Sequence, residues 1–126
     1  IRELLYNVTH KTKKEIKVPK ADFYIVEDNT APDYVITCKR DGTAISLASA
    51  SSVTLIIKRK SDGTITQAGK TATITTPASG IITYTADATD FPSSGLYVAD
   101  IKVTYSGGGI EILYKQASWY VRPKNA

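Results

Sequence analysis

The chain has 126 residues, 42% of them hydrophobic, and a net charge of +4 at pI ≈ 9.1. That suits one domain burying roughly two-thirds of its unfolded surface, and it argues against disorder. No stretch approaches the roughly 20 apolar residues that span a bilayer. The lone cysteine, Cys38, excludes an internal disulfide framework, and with His10 as the only histidine it excludes a histidine/cysteine zinc site within one chain.

The first residues carry Arg2 and Glu3 and no long apolar run, as expected if a signal peptide is absent or already removed. Residues 4–9 and 15–18 alternate as two short strands around a turn holding His10, Lys11, Lys13 and Lys14, and Pro19 separates them from the body of the chain. Residues 1–19 therefore form an extra hairpin on the domain or an arm that docks on a neighbour. Leu4, Tyr6, Val8, Ile16 and Val18 are the positions expected to meet a partner's sheet edge.

Residues 20–126 are expected to form an antiparallel β-sandwich of about seven to nine strands. Period-two alternation places strands at 23–27, 34–39, 53–59, 64–67, 71–75, 81–86, 96–105, 110–115 and 119–122. Turn signals separate them at Asp41-Gly42, Asp62-Gly63 and the glycines 107–109, and residues 46–52 read as a connection. In the longest run Tyr97, Ala99, Ile101, Val103 and Tyr105 share the inward face. Leu96, Val98, Asp100, Lys102 and Thr104 share the outward one, because Asp100 and Lys102 are costly to bury. By the same alternation Val53, Leu55 and Ile57 point inward, and Cys38 shares the apolar parity of Tyr34 and Ile36 as a buried thiol.

No motif carries chemistry. The Gly-Lys-Thr at 69–71 follows Gly63 by one residue too many for a phosphate loop and opens an alternating strand, so the segment reads as a hairpin. His10 has no nucleophile or second metal ligand beside it, and no serine sits in a Gly-x-Ser-x-Gly elbow. Asp41, Asp62, Asp87 and Asp90 fall at turns; Asp87 and Asp90 lack the ligand pattern of a calcium loop. Lys58, Arg59 and Lys60 form a second basic cluster, read as solvating a strand end. Trp119 and Tyr120 alternate, which puts one in the core and the other outside, and with Tyr114 they argue only weakly for a sugar-stacking platform. No catalytic residue, cofactor or metal is expected. Small-molecule substrates, membranes and nucleic acid are not expected partners.

Residues 90–99, Asp-Phe-Pro-Ser-Ser-Gly-Leu-Tyr-Val-Ala, resemble the entry to strand F of immunoglobulin-like domains. Tyr97 matches the family's corner tyrosine and Gly95 the glycine before it, while Ala99 stands where the second cysteine would be. A wider resemblance covers about residues 22–123. The Asp-Asn-Thr at 28–30, the Asp41-Gly42 turn, "SGIITYTA" and "SGLYVADIKVTYSGGGIEI" look like the immunoglobulin-like modules of tailed-phage virions, nearest to the N-terminal domain of BppU-type upper baseplate proteins. The Asp-Asn-Thr order departs from that family's Gly-Asp-Thr. The resemblance implies a non-enzymatic virion component of the baseplate or tail, assembled in the host cytoplasm, repeated in a symmetric assembly and bound to other virion proteins. Capsid decoration or a head fibre, and a carbohydrate-binding module, are the alternatives.

Overall fold

The computed structural model describes residues 19–27, 33–87 and 89–123. Among the described residues nine strands follow in chain order: β1 (Phe23–Val26), β2 (Tyr34–Thr37), β3 (Lys39–Arg40), β4 (Thr43–Ala44), β5 (Ala50–Arg59), β6 (Ile65–Thr76), β7 (Ile81–Tyr84), β8 (Gly95–Tyr105) and β9 (Ile110–Arg122). A short 3-10 turn, Pro77–Ser79, joins β6 to β7. Seven strands form one curled sheet in the order β1-β9-β8-β5-β6-β7-β2, and β3 and β4 form a small hairpin. The curl comes from β6, which pairs with β5 through Ala72 and with β7 from Thr73 onward. One strand thus belongs to both layers of a β-sandwich. β1 runs parallel to β9, with Phe23 opposite Trp119.

The inward alternation expected for β8 holds from Tyr97 to Val103, while Tyr105 at the strand end is only half-buried. Tyr97, Ala99, Ile101 and Val103 are fully buried, as are Val53, Leu55 and Ile57 on β5. Cys38 is buried and its thiol is pushed up to about 11 by desolvation. At one end of the sandwich Trp119 packs against Phe23, Tyr34 and Phe91 at ring-centroid distances of 5.2–5.6 Å, and Phe91 meets Tyr97 at 5.1 Å. The Tyr97 hydroxyl donates to the Ser93 carbonyl at 2.8 Å and accepts from the Ser93 N–H at 3.3 Å. This is the tyrosine corner that the 90–99 stretch suggested, and it clamps the loop entering β8.

Six expectations change, the first being that the segments 110–115 and 119–122 form one strand, β9. The segments 64–67 and 71–75 are one strand, not a hairpin. Leu55 pairs with Lys70 and Ile57 with Gln67, so the extra residue around Gly69 is absorbed as a bulge instead of a turn. Residues 50–52 belong to β5, not to a connection, because Ala50 already pairs with Tyr105. The run 34–39 breaks after Thr37, and Lys39 starts a separate hairpin through the Asp41-Gly42 turn. Asp90 is no exposed turn residue. It is fully buried, accepts hydrogen bonds from the Tyr84 hydroxyl and the Asp87 N–H, and has its pKa raised first by desolvation. Asp100 lies on the outer face as expected but is only 4% exposed. The proposed arm, residues 1–18, and the Asp-Asn-Thr at 28–30 lie outside the described residues.

Tyr97 joins the corner to the aromatic core, so its two contributions should separate. Tyr97→Ala is expected to destabilise the fold by roughly 3–5 kcal/mol as a large core deletion. Tyr97→Phe keeps the ring and should lose only about 1 kcal/mol for the hydroxyl's bonds. Chemical-denaturant melts of both variants test this; equal losses would contradict it.

Candidate functional site

Both layers end in strands with unpaired edges. Among the described residues β2 pairs only with β7, and β1 covers β9 only from Trp119 to Arg122. Between the β2 edge and the uncovered first half of β9 lies an open groove of ≈ 610 Å³. Val35, Ile36 and Thr37 form one wall, Tyr114 to Ala117 the other, Asp22 and Phe23 one end, and Asp41 and Gly42 part of the other.

The β2 wall presents backbone donors. The Cys38 N–H donates to the Gly80 carbonyl, on the β7 side, at 2.8 Å. Hydrogen bonds of an antiparallel strand change side with each residue, so the N–H groups of Val35 and Thr37 point into the groove. The Val35 side chain is 60% exposed.

The β9 wall is shaped by a buried acid. Ala99 pairs with Ala117 and Ile101 with Leu113, so residues 114–116 bulge outward opposite Asp100. Lys115 sits at φ 53, in the left-handed region that a lysine rarely adopts. Asp100 fills the gap: its carboxylate accepts the Lys115 N–H at 2.9 Å and meets Lys58 Nζ at 2.9 Å. The bulge leaves Tyr114 68% exposed. It also brings Gln116 Oε1 within 2.6 Å of the Lys39 N–H, tying β9 to the small hairpin. A second tie is the paired hydrogen bonding of Arg40 with Glu111, at 2.6 and 2.7 Å, with the Tyr105 hydroxyl donating to the same carboxylate at 2.7 Å. The Arg40 and Tyr105 hydrogen bonds hold Glu111 down to about 2.

The arrangement is an open cleft between a strand edge and a bulged strand. Asp22, the acid at the groove end, is engaged with the backbone N–H and hydroxyl of Ser118 at 3.0 and 3.2 Å. Among the described residues no group of three or more His, Cys, Asp or Glu is placed to hold a metal. Asp87 pairs with Lys70 and Thr89. Lys58 and Arg59 are engaged with Asp100 and Asp62. Trp119 is core, whereas Tyr120 is half-buried on the outer face. The residues expected at a partner's edge, Leu4, Tyr6, Val8, Ile16 and Val18, lie outside the described residues, as do His10 and the lysines beside it. The groove walls were not read from sequence. The available signal was the loss of clean alternation at 116–118, which read as a break between two strands.

No family model and no curated protein matches this chain. A similar solved structure is that of CopC from Methylosinus trichosporium OB3b, at 17% identity and TM-score 0.45, covering 84% of this chain and 88% of that one. The expected function is corrected on this finding. The similar structure is a CopC, and neither a family model nor a curated protein ties the chain to a phage particle. The virion role, with its decoration and glycan-binding alternatives, is set aside.

Asp100→Ala would orphan the Lys115 N–H and leave Lys58 unpaired, an expected loss of about 1–3 kcal/mol. Amide exchange at Lys115 and Lys39 should accelerate together as the groove wall loosens. An unchanged Lys115 amide would contradict the role given to Asp100.

The Arg40–Glu111 pair predicts a pH dependence. Glu111 has a lower pKa folded than its ordinary 4.5, so its stabilisation is complete above that value and lost as pH falls toward about 2. Denaturant melts of the parent and Glu111→Gln should therefore converge across that window. A difference independent of pH would refute the pairing.

Proposed function

We propose that this chain is a non-enzymatic protein-binding module that takes an extended segment of a partner polypeptide by strand addition between β2 and β9. The observation that carries it is the outward pair of backbone donors at Val35 and Thr37 facing an open groove. Main-chain hydrogen bonds to a sheet edge supply affinity, and pockets for alternate side chains supply register. Phe23, Ile36 and Ala117 give the groove apolar lining, so the fitting segment alternates apolar and polar residues. The strained bulge at Lys115 also fits this reading, since bulges re-aim side chains beside functional sites.

The test is a magnetic-resonance titration of the full chain with an arrayed library of alternating apolar–polar peptides. Binding should shift the amides of Val35 and Thr37 foremost. Val35→Pro removes one groove-facing donor at an edge position where proline is tolerated. It should leave the fold intact and weaken binding about tenfold, the loss of one to two hydrogen bonds. Binding that ignores Val35→Pro, or shifts confined to another surface, would sink the proposal.

A further inference from the structure

The groove carries its spare charge at one end. Lys39 and Lys115 line it from opposite walls, beside the Asp41-Gly42 turn of the small hairpin. The bond from the Lys39 N–H to Gln116 Oε1, at 2.6 Å, holds Lys39 next to the bulge that carries Lys115. Both lysines are exposed, and among the described residues neither ammonium is in an ion pair. Arg40 and Glu111 close by neutralise each other, and Asp22, at the far end, is bonded by Ser118. Of the other lining residues only Asp41 is charged, which leaves the hairpin end with a surplus of one positive charge.

Two features tie these lysines to an incoming strand. Tyr34, Ile36 and Cys38 are buried, so Lys39 shares the outward parity of Val35 and Thr37. The Cys38 N–H still bonds Gly80, which carries that parity past the end of β2. A strand laid along the Val35 and Thr37 donors therefore meets the Lys39 side chain at the next outward position. Lys115, for its part, holds φ 53, where glycine or asparagine would fit with less strain. A long cationic side chain kept on strained backbone beside a cleft points to a use for its charge.

We infer that the partner strand carries an acidic residue whose carboxylate seats between Lys39 and Lys115 at the hairpin end of the groove. This deepens, and rests on, the strand-addition reading above. A cross-strand pair of opposite charges adds affinity and also fixes register, because a slip of one residue turns the acid to the other face. A strand with lysine or arginine at that position meets two ammonium groups and is refused.

The probe is the tightest-binding member of the alternating peptide library, with Glu, Gln and Lys placed in turn at each of its polar positions. Dissociation constants are measured for the full chain, for the Lys39→Gln/Lys115→Gln double variant and for Lys115→Gly. In the parent one position should favour Glu over Gln by about fivefold and disfavour Lys. That preference should vanish in the double variant, and in the parent it should shrink between about 50 mM and about 500 mM salt. Lys115→Gly should melt no lower than the parent, since glycine accepts that backbone, yet lose part of the preference. No position that favours Glu, or a preference that survives in the double variant, would overturn the inference. Full preference in Lys115→Gly would overturn the paired seat. If the peptides nonetheless shift the Val35 and Thr37 amides, the acidic partner falls and the groove reading stands. If no library peptide shifts those amides, both fall.

Discussion

The Asp100 carboxylate is the constraint on which the rest of the arrangement depends. Two long strands, β8 and β9, must stay paired along their length while β9 carries surplus residues opposite Asp100. A bulge solves the count but takes a backbone N–H away from its ladder partner, and that donor needs another acceptor. Asp100 takes that donor and is itself compensated by Lys58 from β5. One side chain thereby ties three strands together on the outer face. It also keeps the alternation of β9 in phase on both sides of the bulge, so that Leu113, Ala117, Trp119 and Val121 all reach the core.

The opposite side of the same strands is closed by aromatic packing. Trp119, Phe91, Tyr97, Tyr34 and Phe23 fill the end of the sandwich, and the Tyr97 hydroxyl holds the loop that turns into β8. Asp90 sits at that loop as a second buried acid, bonded by Tyr84 and by the Asp87 N–H, while its backbone carbonyl accepts from Thr66 at 2.8 Å. Here burial outweighs the hydrogen bonds in its effect on the carboxyl's pKa. Asp90 therefore anchors the loop at the cost of desolvation, in contrast to the half-buried Asp87, whose pKa is lowered by the bond to Lys70 and then by those to Thr89.

The groove arises from how the two layers end. β1 covers only the last residues of β9, and β2 is an edge strand among the described residues. Open edges are a hazard for a β-protein unless they are short, charged or covered. Here the β9 edge is blunted by the bulge and bridged by Gln116 and Arg40 to the small hairpin, whereas the β2 edge keeps its donors turned toward the groove. Selective exposure of one edge at a shaped cleft is a means of admitting one strand and refusing others.

The sequence by itself determined the all-β class, most strand positions, the inward faces of β5 and β8, and the corner at Tyr97. Those features are local: alternation, turn residues and a short motif act within neighbouring positions. The burial of Cys38 also followed from parity, whereas for Trp119 and Tyr120 parity said only that one of the two would be core. Only the tertiary structure decided where parity would be interrupted. The bulges near Gly69 and Lys115 merged pairs of apparent strands, because the register of a distant partner, and not a turn, absorbed the extra residues. It also decided that Asp90 and Asp100 would be buried: Lys58 from a distant strand meets the Asp100 carboxylate, and Thr66 holds the backbone carbonyl of Asp90. The groove was hidden for the same reason. Its walls, at 35–37 and 114–117, are brought together by the curl of the sheet through β6, and no periodicity along one chain segment records which edges a fold leaves facing each other.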